Sequence, residues 1–155
     1  MSCILLACRN GRVDMVDYLL EQGANPNDKE EEYGGTCLMA AVCNRHPDGV
    51  RRLIDAGADV EYVHPPRGNE TLIYTTAYCF SIDAEGGDLD FEEGSVIRTA
   101  KLLLEAGAAA STPSSYNQAG LAQTALQLLQ GMLPFDDKVR RERDGLIALL
   151  QRYEE

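Results

Sequence analysis

One helix ending is written three times in this chain. "LLEQGANPN" (Leu19–Asn27), "LIDAGADVE" (Leu53–Glu61) and "LLEAGAAAS" (Leu103–Ser111) each run apolar residues into a glycine. Gly23 and Gly57 stand 34 residues apart. Upstream of each, Val16, Leu19 and Leu20, then Val50, Leu53 and Ile54, fall at the spacing of one helix face. The glycine can take the left-handed conformation that closes a helix without a side-chain clash. The beginnings repeat too. "SCILLAC", "TCLMAAV" and "TLIYTTA" open on Ser2, Thr36 and Thr71, each a hydroxyl residue able to cap a helix. The predicted unit is a short helix, a tight turn, a second helix, a glycine stop and a loop. Helices this short are marginal alone, so such units hide their apolar faces by stacking in a row. The expectation is an all-α chain, one domain over 1–155, built as a solenoid of about four helix-turn-helix repeats near 2–34, 35–68, 69–116 and 117–155.

These residues resemble the ankyrin repeat family. Its pattern is roughly G-x-T-P-L-H-x-A-A-x-x-G followed by V-x-x-L-L-x-x-G-A-D-V-N. "GTCLMAAVCN" with "VRRLIDAGADVE", between Gly35 and Glu61, matches closely, and Ala7–Asn27 matches well. The resemblance covers most of residues 2–111 and implies an ankyrin-repeat solenoid. Departures are specific. Cys3, Cys37, Leu72 and Ala125 replace the motif proline, and Leu5, Met39, Tyr74 and Gln127 replace its histidine.

The later units are irregular. Gly57 and Gly107 are 50 residues apart, and the excess is expected as an acidic insertion at 80–95, between the two helices of the third repeat. The last unit reads as a divergent C-terminal capping repeat. Its helices are expected over Gln123–Gln130 and Arg143–Tyr153, with "GMLPFDDKVRRE" as the connection. Ile4, Leu5 and Leu6 occupy the first helix of the first repeat, so either its outer face is only partly apolar once folded or something covers it.

Charge narrows the partners. The net charge is −11. Nucleic-acid binding needs a basic surface, so nucleic acid is excluded as the expected partner, and anionic membrane is too. A basic protein partner stays open. No apolar run approaches the roughly 18–20 residues of a membrane span. The start lacks a basic leader, and the expected location is cytoplasmic. Five cysteines, an odd number without CxxC spacing, read as reduced packing residues.

Little points to chemistry. His46 and His64 are the two histidines, and both precede prolines. Pro47 fits a first helical turn, which makes His46 a cap or turn residue. There is no nucleophile motif, P-loop or GxGxxG, so the expectation is no enzyme, no cofactor and no metal. The insertion carries Asp83, Glu85, Asp88, Asp90, Glu92 and Glu93. Calcium would suit carboxylates, but the EF-hand spacing is missing, with Gly87 at an expected ligand position. The insertion reads first as a solvated acidic loop, and second as a docking element for a basic partner. "DKEEE" (Asp28–Glu32) reads as surface charge, and "KVRRER" (Lys138–Arg143) as the solvated start of the last helix.

The resemblance implies a non-catalytic protein–protein interaction module that binds through loop tips and first helices. Carried over by position, the partner-binding set is Arg9, Asn10, Glu32, Tyr33, Cys43, Asn44, Tyr62, His64, Arg67, Glu70 and Tyr78. The alternative is an acidic inhibitor or immunity-type protein that blocks a basic partner such as a toxin or an enzyme.

Overall fold

The structure is a computed structural model that describes residues 2–32, 34–65, 70–86, 92–113, 123–133 and 136–154. Among these lie eight α-helices and no strand: α1 (Cys3–Arg9), α2 (Val13–Glu21), α3 (Cys37–Cys43), α4 (Pro47–Asp55), α5 (Leu72–Gly86), α6 (Ser95–Glu105), α7 (Ala125–Gly131) and α8 (Asp137–Glu154). They form antiparallel pairs: α1 with α2, α3 with α4, α5 with α6 and α7 with α8. The first helices pack in one row, α1 on α3 on α5 on α7, and the second helices pack in another, α2 on α4 on α6 on α8. This two-layer stack is the expected solenoid.

The recurring starts and stops follow from local chemistry. The hydroxyls of Ser2, Thr36 and Thr71 accept from the backbone N–H of Leu5, Met39 and Tyr74 at 3.4, 3.1 and 3.2 Å. Thr124 does the same for Gln127, whose side chain returns to the Thr124 N–H as a capping box. At the other end, Gly23, Gly57 and Gly107 have φ of 83°, 86° and 100°. The following alanines, Ala24, Ala58 and Ala108, donate back to Leu19, Leu53 and Leu103 at 2.9 Å in each case. This is the Schellman closure, and it satisfies carbonyls that a helix end would otherwise orphan.

Packing fills the space between the rows. Val16, Val50, Leu53, Val96 and Leu103 from the second helices and Leu38, Ala41, Ala77, Phe80 and Leu129 from the first helices are fully buried. Burying one such aliphatic side chain contributes about 1.5–3 kcal/mol. Cys8 and Cys37 sit side by side between α1 and α3 as free, buried thiols that hydrogen-bond one another. That bond and burial push the Cys37 thiol up. Loops are stitched between neighbours. The Asn27 side chain donates to the Gly57 carbonyl at 3.2 Å and accepts from the Asp59 N–H at 2.8 Å.

The turn between paired helices shows one departure. Gly11 has φ 63°, and a Cβ there would lie 2.6 Å from His46 Cε1. The equivalent turn one repeat later holds Arg45 at φ 54°, a left-handed conformation that is strained for a long side chain. His46 follows it as the residue before α4, without a side-chain cap bond, and Pro47 opens the helix. The His46 imidazole bonds the Arg9 backbone and ties the second turn to the first.

One sequence expectation needs correction. The third repeat's excess does not begin as a loop: α5 continues through Gly86, at 15 residues, because Phe80 and Ser81 are buried and extend the packed face by another turn. Asp88 and Asp90 lie outside the described residues. Past them the chain is held down, with Glu92 paired to Arg98 at 2.6 Å and Glu93 to Arg141 at 2.8 Å. The final helix begins at Asp137, ahead of Arg143, and the "KVRRER" run forms its start as expected. Asp136 caps it by accepting from Lys138 and Val139 N–H. On the first pair Ile4 and Leu5 are buried, while Leu6, Met15 and Tyr18 are exposed, which leaves an outer face that is partly apolar.

Glu142 is the least expected element of the core. It sits on α8, is 1% exposed, and its carboxylate accepts from the Gly94 N–H at the start of α6. Burial raises its pKa, against the pull of the Gly94 and Ile97 backbone N–H groups. No side chain of α6's own caps that helix, so α8 supplies the acceptor.

Candidate functional site

The first-helix row and the loops ahead of it enclose an open trough of about 440 Å³. Leu5 and Arg9 come from α1, Met39, Ala40 and Cys43 from α3, and Glu30, Gly35, Thr36, Asn44 and His64 from the flanking loops and turns. The trough runs along the two helices. Glu30, Gly35 and Thr36 mark the N-terminal end of α3, and Arg9 and Asn44 mark the C-terminal ends of α1 and α3. At 1.5 Å per residue these ends are roughly 10 Å apart.

Of the residues expected to meet a partner, Arg9, Cys43, Asn44 and His64 line this trough. Arg9 and Asn44 are exposed, and Cys43 is half-buried. Asn10 and Asn44 occupy matching turn positions, and their side-chain amides donate to the carbonyls of Leu6 and Ala40 at 2.7 and 2.8 Å. Glu32 is exposed on the loop tip beyond Glu30. Tyr33 and Arg67 lie outside the described residues.

Tyr62 is half-buried. Its hydroxyl donates to the Gly34 carbonyl at 2.7 Å, Lys29 Nζ lies 4.4 Å over its ring, and burial raises its pKa. It therefore braces the first loop against the second. Tyr78 stacks on Tyr74 with ring centroids 6.1 Å apart.

Glu70 is a correction. It was expected on an exposed loop, but it is 1% exposed. His64 and Glu70 pair as an antiparallel bridge, with the His64 N–H donating to the Glu70 carbonyl at 2.9 Å, and this folds the loop end inward. The Glu70 charge, after burial, raises the pKa of buried Tyr74. His64 is likewise buried, and it meets the trough as a wall residue.

Sequence reasoning missed the trough's floor. Leu5 and Met39 had been noted as substitutes for the motif histidine, but not as the buried pair that backs this trough. Their 34-residue spacing was the available signal, because equal positions on stacked helices lie side by side. Among the described residues no group of three or more His, Cys, Asp or Glu is placed to hold a metal ion, and no helix is long and apolar enough to cross a membrane.

Residues 1–63 match the family model for ankyrin repeats in three copies. Over these residues the chain is similar to ankyrin repeats. The human 2-5A-dependent ribonuclease is 46% identical over 56 residues, which is 36% of this chain and 8% of that protein. The ankyrin fold extends over the rest of the stack. The crystal structure of the human ASB11 ankyrin repeat domain superposes with a TM-score of 0.64 at 20% identity, covering 98% of this chain and 54% of that one. The chain thus spans a small part of the first relative and about half of the second. Ankyrin repeats generally serve as protein–protein interaction modules, with an extended surface made by successive helix pairs.

Proposed function

We propose that this chain is a non-catalytic interaction module that holds a partner protein across its first helices and loop tips. The observation that carries the reading is the trough itself. It is open, spans two repeats, and gathers exposed Arg9 and Asn44 over an apolar floor. Extended, half-apolar surfaces with a few polar anchors suit a macromolecule better than a reaction centre. The test is site-specific photo-crosslinking in the native host, with the photoreactive residue at Asn44 or at Arg51, which is exposed on α4 in the other layer. The expected result is a discrete protein adduct from position 44 and none from position 51. An adduct from position 51 alone would place the partner on the opposite face.

The charge of −11 favours one narrower version, an inhibitor of a basic partner. In that version the captured complex weakens steeply between low and high salt. An affinity indifferent to salt leaves the general adaptor role.

A further inference from the structure

We infer that the trough between α1 and α3 takes an extended peptide segment that presents one aliphatic side chain beside a lysine or arginine. This rests on the interaction reading above and adds the chemistry of the partner.

The aliphatic half of the requirement comes from what the repeats have lost. Leu5 and Met39 stand where the family pattern has histidine, one repeat apart, and both line the trough. Leu5 and Met39 are buried and back the floor, while half-buried Ala40 and Cys43 present its apolar surface in place of a row of imidazoles. The Thr36 hydroxyl in the same wall is already engaged by the Met39 N–H at 3.1 Å. Apolar surface facing water gains most from an aliphatic side chain laid on it. Because the depression is an open trough between two parallel elements, it fits a stretch of chain with one anchoring side chain.

The basic half comes from the rim. Glu30 is in the wall, Glu31 and Glu32 are exposed beside it, and Asp28 is half-buried at the base of the same loop. The cation in that run, Lys29, is drawn over the Tyr62 ring. The N-terminal end of the trough is therefore negative, and an acidic or phosphorylated segment would meet carboxylates there. A lysine or arginine next to the anchor meets them favourably at this open rim, where charge complementarity governs partner choice. At the other end Arg9 and Asn44 offer donors for backbone carbonyls of the bound segment.

The experiment selects a random peptide library displayed on phage against the immobilised full chain. Two variants run in parallel: Ala40→Arg, which fills the floor from a half-buried position, and the double variant Glu30→Lys with Glu32→Lys, which reverses the rim. Far-ultraviolet circular dichroism and a thermal melt establish that each folds. The expected result is a consensus with an aliphatic residue next to lysine or arginine. Synthetic peptides of that consensus should lose at least tenfold in affinity on Ala40→Arg. They should lose a similar factor on the rim reversal, which instead selects aspartate or glutamate in the flanking position. Peptides that are blocked by Ala40→Arg but carry no basic preference overturn the inference and leave the trough as a binding surface. Peptides indifferent to both variants overturn the interaction reading as well. A selection that yields no binders overturns the inference, since an extended segment is what it requires.

Discussion

The first four helices and the last four solve the same packing problem by different means. In α1–α4 the lengths repeat as 7 and 9 residues, twice. There α1 and α3 open on hydroxyl caps, α2 and α4 end in glycine closures, and Asn27 ties its loop to the next repeat. In α5–α8 the lengths are 15, 11, 7 and 18 residues. The same caps and closures recur there at Thr71, Thr124 and Gly107, and long side chains from α8 are added to them. Glu142 accepts from Gly94, Arg141 pairs with Glu93, and Arg143 donates to the Met132 carbonyl at 2.9 Å. A regular repeat is built from local caps and stops that recur with the same bond to the next repeat. A stretched one needs an acceptor or donor brought in from elsewhere in the chain.

The contrast can be broken most forcefully in the core. Leu53 and Leu103 hold the same place before their glycine stops, and both are fully buried. Leu53→Ala and Leu103→Ala should each cost about 2–5 kcal/mol. Chemical denaturation of both variants would show whether one transition shifts in each case. If Leu103→Ala splits the transition and leaves the first limb unmoved, the two halves unfold as separate units.

Removing the long-range cap comes next in size. Glu142→Ala leaves the Gly94 and Ile97 N–H groups facing a cavity and should cost about 1–3 kcal/mol, the usual penalty for orphaned buried donors. Glu142→Gln keeps an acceptor and should cost less. Equal melting temperatures for Glu142→Ala and the parent would mean that α8 does not hold the start of α6.

Acid should pull the two halves in opposite directions. Burial lowers the His46 pKa below its usual 6.5, so the unfolded chain binds the proton more readily. Its contribution is complete above 6.5 and is lost as pH falls from there through the folded value. Glu142 is the reverse: its folded pKa lies above the usual 4.5, so its carboxyl favours the fold as pH falls towards 4.5 and opposes it as pH rises through the folded value. Melting curves taken below neutrality should therefore flatten on the high side in His46→Asn. In Glu142→Gln they should lose the acid-side gain. An unchanged pH profile in both variants would remove this account.

The smallest effect belongs to the surface pair Arg52–Asp17, at 3.4 Å between α4 and α2. Both groups are well exposed, so Asp17→Ala should cost less than about 1 kcal/mol and less still in high salt.

How far each half could be read from its residues follows the same division. Ser2, Thr36, Thr71, Gly23, Gly57 and Gly107 announced helix limits because caps and left-handed stops are set by the residue at that point and its near neighbours. The extension of α5 past Phe80 was not announced. Its acidic residues read as solvent-facing, and only burial of Phe80 and Ser81 against other helices favours the extra turn. The trough was half legible. Arg9, Cys43, Asn44 and His64 were placed by repeat position, while the burial of Glu70 depended on a bridge to His64 that local pattern does not encode.

Sequence alone determined the repeating unit, its 34-residue period in the first half and the stacking that such short helices require, because hydrogen bonds within a few residues and apolar periodicity act along the chain. Tertiary structure alone decided that Glu142 would cap α6 from two helices away. It also decided that Leu5 and Met39 would share one floor, and that a loop-born carboxylate such as Glu70 would turn inward. Those outcomes depend on which surfaces meet in space, where desolvation and pairing are settled between residues far apart in the chain.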